Sequence, residues 1–451
     1  MPQSGAAGNT RNSGKSNPGI RPPAIYFDGS CTVADYLTRL KIETGKEENK
    51  MLSREKQEIA DWIHGLEEGL IGLSHEIHRH PEIGFQEYKA VDAIETYLKT
   101  QGVEIERNYC EIPTSFRAVK KGRGKGPVVA FLAEYDALRG VGHGCGHNVI
   151  AACAVGAFLG MASKMDQYDG EIWLLGTPAE EGGAGKVLML EWGGFDGVEF
   201  ALMMHPTGGG VERNYINRGG RASGSITVSF RGKSAHSSVP SAGINALSAA
   251  ISVFNQIDMI RPTFGVQDNV NGVILEGGTA GNIIPEFSKC EFCIRAETMK
   301  RADELIGMIK GCIRRAQDLT GAAAEIETEP IYAERYPCLP LCKAFKENMG
   351  ELGISMCYPK PGELFGSSDI GNVSIRIPAI HDYLSITDDA SIEAHSTEYA
   401  RVAAEPKADE ICILGAEGLA MTAFDILTDG KLREESIAYH KEIVPAFYGK
   451  E

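Results

Sequence analysis

Long apolar runs are missing from this sequence. No stretch reaches the roughly 18 uninterrupted apolar residues of a membrane span, and the opening MPQSGAAGNTRNSGKSNPG lacks the apolar core of a secretion signal. No membrane partner is therefore expected, and the expected location is the cytoplasm. Positive charge is in deficit, with 45 Lys and Arg against 61 Asp and Glu and a net charge of −16. Phosphate backbones and anionic surfaces need concentrated Lys and Arg, so no nucleic-acid partner is expected. Clustered cysteine is absent too: the 11 thiols are odd in number and scattered, unlike a disulfide-stapled secreted domain. No GxSxG occurs, which removes the serine elbow of one large hydrolase class.

What is present is a globular composition, 43% hydrophobic with 53 glycines over 451 residues, enough chain for two or three domains. Residues 1–52 form an N-terminal extension. Its first 23 or so residues, rich in Gly, Ser, Pro and Asn, are too polar to pack and are expected to be disordered. From Ser53, apolar residues at helical spacing (Ile59, Trp62, Ile63, Leu66, Leu70, Leu73, Ile77) predict one amphipathic helix that Pro81 ends.

Strands at 128–133, 171–175 and 198–204 then alternate with helices at 148–164 and near 186–192, which predicts a parallel sheet covered on both faces. Over 223–329 the order becomes β-α-β-β-α-β, the split βαβ unit of a four-stranded sheet with two helices on one face. The expected division is a first domain in two parts, 53–217 and 334–451, with 218–333 inserted between them. Within the insert, Cys290-x-x-Cys293 lies on a strand, where residues three apart face opposite sides; it is read as structural.

Chemistry concentrates after the strands. Gly140-Val141-Gly142-His143-Gly144-Cys145-Gly146-His147 follows the first strong strand. A dinucleotide loop would place glycines directly at the strand-to-helix turn without ligand side chains among them. Here Cys145 and His147 are a thiolate and an imidazole two apart, and the glycines let both reach one ion; His143 reads as structural. Glu180 and Glu181 follow the next strand, and adjacent carboxylates on an extended loop point apart, so one can bind a metal while the other handles a proton. A bare Glu-Glu pair is more often a solvated turn. In open parallel sheets, however, ligands bind at the carboxyl ends of strands, and His205 ends a third strand there. A fifth ligand candidate is His395, which local sequence does not distinguish from His381. The cluster His75, His78 and His80 lacks the HExxH spacing and reads as a helix end.

Together these residues resemble the M20 family of metallopeptidases, in its amidohydrolase branch, subfamily D. The similarity runs from about Ser53 to the C-terminus. It is carried by HPEIGFQE (80–87), AEYDAL (133–138), GCGHN (144–148), PAEE (178–181), MHP (204–206), SAH (234–236) and GGTAGNIIP (277–285). Within the branch, AEYDAL with GHGCGHN and the late GSSDIGNVS (366–374) resemble the aminobenzoyl-glutamate hydrolase and basic-dipeptide dipeptidase subgroup.

The resemblance implies an α/β fold: a parallel-sheet catalytic domain with a dinuclear metal site, and an inserted βαββαβ, ferredoxin-like lid and dimerisation domain. It implies that Cys145 bridges two divalent metal ions, zinc or manganese, with His147, Glu181, His205 and His395 completing the set and Glu180 as general base. A pair of metals about 3.5–4 Å apart acidifies the attacking water and polarises the scissile carbonyl. His236 resembles the histidine that stabilises the oxyanion, and Asn282 a substrate contact. Glu134 or Asp136 would orient a ligand histidine. Tyr215, Phe264, Phe365, Ser367 and Ser368 are taken as pocket residues. The expected activity is hydrolysis of a small N-acyl amino acid, dipeptide or aminobenzoyl-glutamate-like amide by a homodimer, with hinge motion closing the insert on the site. The rival readings are a specialised secondary-metabolite or xenobiotic amide as substrate, or a non-catalytic metal-binding homologue.

Overall fold

The computed structural model describes residues 52–363 and 365–449. The reading of residues 1–23 as disordered lies outside them.

Among the described residues, chain order runs from three helices, Arg54–His64, Glu67–Arg79 and Tyr88–Thr100, into twelve strands with further helices between them. These are β1 (Glu106–Arg107), β2 (Phe116–Lys121), β3 (Val128–Ala133), β4 (Glu171–Gly176), β5 (Phe200–Thr207), β6 (Ala222–Arg231), β7 (Ala235–His236), β8 (Asn269–Glu276), β9 (Ile283–Ile284), β10 (Phe287–Ala296), β11 (Ala323–Thr328) and β12 (Ala379–Ser385). The expected single N-terminal helix is two. Ser53 caps the first by accepting from the Lys56 N–H, and it ends at Gly65, whose N–H closes on Asp61 and Ile63 carbonyls before the second begins at Glu67. The apolar stripe crosses this break undisturbed, which is why periodicity alone did not reveal it.

The larger sheet has the order β1-β2-β4-β3-β5-β12. β4, β3, β5 and β12 are parallel, whereas β1 and β2 pair antiparallel at one edge, so the sheet is mixed rather than wholly parallel. β2, next to the two-residue edge strand β1, has the burial alternation of a half-exposed strand, a weaker pattern than the continuous apolar run of β3. Successive β3 residues serve opposite faces: Phe131 packs with Leu70, Phe158 and Leu202, while Ala130 and Leu132 pack with Ile150, Leu175 and Met203. Both faces being buried explains that run.

Helix His147–Ala162 lies against the sheet and against Pro406–Thr428. His147–Gln167 and Pro406–Thr428 are long and apolar enough to cross a membrane by length and composition, although polar residues interrupt each apolar run. They are 83% and 78% buried inside the protein, as core helices are. Glu417 in the second of them is buried, and burial together with Asp61 and Glu67 pushes its carboxyl up from 4.5 to about 7. A neutral acid is thus favoured in the fold: its contribution is complete below about 4.5 and is lost as pH rises through about 7. Glu417→Gln is expected to raise stability above that range by about 1–3 kcal/mol. In a series of urea midpoints against pH it should flatten the decline; an unaltered slope would contradict the assignment.

The second sheet is antiparallel, in the order β11-β6-β10-β8, with helices Ala246–Ile260 and Met299–Thr320 on one face. Burial alternates along β6 and β10, and Ile226, Val228, Phe230, Phe292 and Ile294 meet Ile309 and Ile313 in a separate core. Cys290 points into that core and Cys293 away from it. A two-stranded ribbon, β7 with β9, projects from this unit.

Candidate metal centre

Parallel strands share one carboxyl end, and the loops there converge. β3 leads to Glu134, Asp136 and the turn 140–146. Gly146 is left-handed (φ 77°) at the start of helix His147–Ala162, and a Cβ there would stand 2.6 Å from Pro206 Cγ, so only glycine permits the approach of Cys145 and His147 to the β5 end. β4 leads to 178–184, where Ala179 (φ 59°) and Ala184 (φ 56°) are left-handed without being glycine. His395 is left-handed as well (φ 65°). Such strain persists where surrounding contacts impose it, often at functional sites.

The donor atoms of Cys145, His147 and His205 lie within 4.8 Å of one another, and so do those of Cys145, Glu181 and His395. Cys145 is common to both trios. Its Sγ is 3.5 Å from His205 Nε2, and His395 Nε2 is 3.7 Å from Glu181 Oε1. A third trio, Glu134, His147 and Glu180, adjoins them. The histidines are aimed from behind: His147 Nδ1 is 2.9 Å from Asp136 Oδ1, and His205 Nδ1 is 2.6 Å from the Pro206 carbonyl. Each imidazole thereby donates through Nδ1 and leaves Nε2 for a ligand. His147 Nε2, Glu181 Oε1 and Glu134 Oε2 are buried with no hydrogen-bond partner. Orphaned buried polar atoms are costly unless something not yet counted satisfies them. A thiol, three imidazoles and a carboxylate around those orphans fit divalent cations.

Electrostatics agree in kind. Burial and then Glu181 push the Cys145 thiol well above its usual range. Burial disfavours a charged His147, but Asp136 and Cys145 outweigh it and push this imidazole up. Burial, then Glu134 and Glu181, push the Glu180 carboxyl up. Divalent cations invert this balance by favouring the thiolate and the carboxylates.

Between the two orienting candidates, Asp136 is the one on His147 Nδ1, and its second oxygen accepts the Glu181 N–H at 2.8 Å. Glu134 Oε2 instead stands 3.5 Å from His147 Nε2. Glu134 Oε1 accepts from Lys186 Nζ at 2.5 Å, and Lys186 also reaches Asp369 at 2.6 Å; all three side chains are fully buried. Sequence reasoning passed over Lys186, whose signal is a lone cation in the apolar helix Gly185–Glu191. It also left Glu87 without a role. That buried side chain ends the HPEIGFQE motif and accepts the Ala179 N–H at 2.8 Å, steadying the residue before Glu180.

Of the remaining residues, His236 and Asn282 come together on the β7–β9 ribbon, where Ser237 N–H donates to the Asn282 carbonyl at 3.0 Å. Both are exposed, and no described contact joins them to the donor trios. Ser367 Oγ is buried without a partner, and Ser368 Oγ accepts from the Ile370 N–H. Tyr215 and Phe365 rings stand 6.3 Å apart, whereas Phe264 packs on the core of the second sheet. His381 faces Arg335 and Tyr383 rather than Glu181. His143 bonds the Ile77 carbonyl, His75 pairs with Asp409 and His78 with the Ala400 carbonyl, so these histidines serve packing.

A mixed α/β sheet carrying convergent cation donors, together with an antiparallel sheet flanked by two helices, defines a metal-dependent hydrolase. The profile of Peptidase family M20/M25/M40 matches residues 128–412, and the chain belongs to this family. It is 33% identical to a Xaa-Arg dipeptidase of Mus musculus over 395 residues, 84% of this chain and 90% of the relative. It is 27% identical to one of the subunits of the p-aminobenzoyl-glutamate hydrolase of Escherichia coli (strain K12), over 65% of each. The solved aminobenzoyl-glutamate utilization protein of Klebsiella pneumoniae shares the fold, with a TM-score of 0.67 at 19% identity over 82% of this chain and 99% of that one. As a member of the family, the protein is a hydrolase of amide bonds.

Proposed function

We propose that this protein is a dipeptidase or amidohydrolase that uses two divalent cations to cleave a dipeptide, a small N-acyl amino acid or an aminobenzoyl-glutamate-like amide. The observation that carries the reading is the sharing of Cys145 by two donor trios beside buried orphan atoms. His147 and His205 would hold one cation, Glu181 and His395 the other, with Cys145 between them. Bound there, the cations would acidify water and polarise the scissile carbonyl. Thiolate and imidazole suit zinc, and the carboxylate tolerates manganese. Similarity to a Xaa-Arg dipeptidase and to a p-aminobenzoyl-glutamate hydrolase supports the substrate class.

In this reading the chain's own groups move the protons. Glu180 accepts a proton from the attacking water and returns it to the leaving amine nitrogen, and Asp136 keeps His147 in one tautomer. His236 donates to the developing oxyanion and Asn282 contacts the substrate, both carried on the ribbon of the inserted segment 218–333, while 53–217 and 334–451 form the catalytic domain. The exposed edge strand β8, with Val273, Ile274 and Leu275 open to solvent, supports pairing with a second copy into a homodimer.

The test is a panel of dipeptides, N-acyl amino acids and aminobenzoyl-glutamate, given to chelator-stripped protein with and without Mn²⁺ or Zn²⁺. Turnover is expected only with added metal, and on at least one member. Folded, metal-loaded protein that cleaves none of them would overturn the substrate class.

A further inference from the structure

Tyr332 stands where the chain leaves the second sheet, just after β11. Its backbone exchanges two hydrogen bonds with Ser223 at the start of β6, Ser223 N to Tyr332 O at 2.9 Å and Tyr332 N to Ser223 O at 2.8 Å. Entry to the inserted segment and exit from it are therefore tied at this residue, as they are again where the Arg335 N–H donates to the Gly220 carbonyl at 3.3 Å. Its two neighbours are tied elsewhere. Asn372, on the short helix Ile370–Ser374, donates to the Ile331 carbonyl at 3.0 Å and accepts from the Ala333 N–H at 2.9 Å. Gly371 of the same helix lies so close that a Cβ would stand 2.1 Å from the Ala333 carbonyl oxygen.

From this joint the phenol reaches into the metal centre. Its hydroxyl donates to the Glu180 carbonyl at 2.7 Å and accepts the Ala184 N–H at 3.3 Å. Neither backbone group has a backbone partner among the described residues. One hydroxyl thus spans the loop that carries Glu180, between the left-handed Ala179 and Ala184. A loop with no ladder of its own takes its position from such outside contacts, and a misplacement of about 1 Å at a reacting group can cost about a hundredfold in rate.

We propose that Tyr332 is a positioning residue through which the inserted segment sets the placement of Glu180. The inference rests on the reading of Glu180 as the general base. No described hydrogen bond joins Tyr332 to a donor of the two trios; it acts on the backbone of the base. Movement of the insert about its two crossings pulls on this loop, so closure over a substrate and alignment of the base are one event.

The experiment uses the full-length, Mn²⁺-loaded enzyme and whichever panel substrate the wild type cleaves. Tyr332→Phe keeps the ring and removes the hydroxyl. It is expected to lower kcat by about ten- to a hundredfold, with KM and metal content essentially unchanged. Asn372→Ala, which frees the joint while leaving the phenol, is expected to move kcat in the same direction and serves if Tyr332→Phe folds poorly. In a Glu180→Asp background, whose shortened carboxylate is already misplaced, Tyr332→Phe should cost much less than in the wild type. An equal loss in both backgrounds, a wild-type kcat, or a loss confined to KM or metal content would overturn the proposal. Wild-type turnover by Glu180→Gln would instead remove the base reading, and this inference with it. Inactive Glu180→Gln beside a fully active Tyr332→Phe would remove the inference alone.

Discussion

Glu180→Gln is expected to lower turnover by about 10²–10⁴-fold while the protein keeps its metal. The substitution preserves the shape of the side chain and removes its capacity to accept a proton. Glu180 is 7% exposed, its Oε2 is 3.8 Å from His147 Nε2, and burial with Glu134 and Glu181 beside it favours uptake of a proton. The donors of the two trios do not include it. Metal content by elemental analysis and kcat on the same preparation separate the two roles. Turnover near the wild-type rate would end the assignment, whereas loss of metal together with activity would make Glu180 a ligand instead.

Lys186→Met is expected to cost about 3–5 kcal/mol of stability, read as a lower urea midpoint. Lys186 Nζ bonds Glu134 and Asp369 with all three side chains buried, and the Lys186 N–H also donates to Asp369 at 2.9 Å. Burial alone would favour a neutral amine, but the two carboxylates outweigh it and keep the ammonium charged. Without that cation two carboxylates remain buried with no compensating charge, so most of the expected cost is theirs. Adding Glu134→Gln and Asp369→Asn to Lys186→Met should therefore recover part of the loss. A wild-type midpoint for Lys186→Met alone would show that water or protonation replaces the ion pair at little cost.

Both expectations depend on contacts of unequal legibility. β3 was readable to the residue, because a strand buried on both faces leaves an unbroken apolar run between polar ends. The second sheet was readable because its strands alternate over a single core. The β1–β2 edge was not, since a short, half-exposed strand carries little pattern. Cys145, His147, Glu180, Glu181 and His205 could be singled out locally, as side chains of metal and proton chemistry placed just after or at the end of strong strands. His395 and His381 looked alike until the fold set one beside Glu181 and the other beside Arg335.

By itself the sequence determined most of the elements, the class of chemistry and the candidate residues for it, because periodicity and the chemical nature of side chains are local properties. Tertiary structure alone decided that Cys145 belongs to two donor trios, that Asp136 rather than Glu134 aims His147, and that Lys186 neutralises Glu134 and Asp369. It likewise decided that Glu87 and Tyr332 hold the loop of Glu180 from two sides. Most of those partners lie tens to hundreds of residues apart in the chain. Their energies depend on distances of a few ångströms and on the exclusion of water, which exist only once the sheet has closed around them.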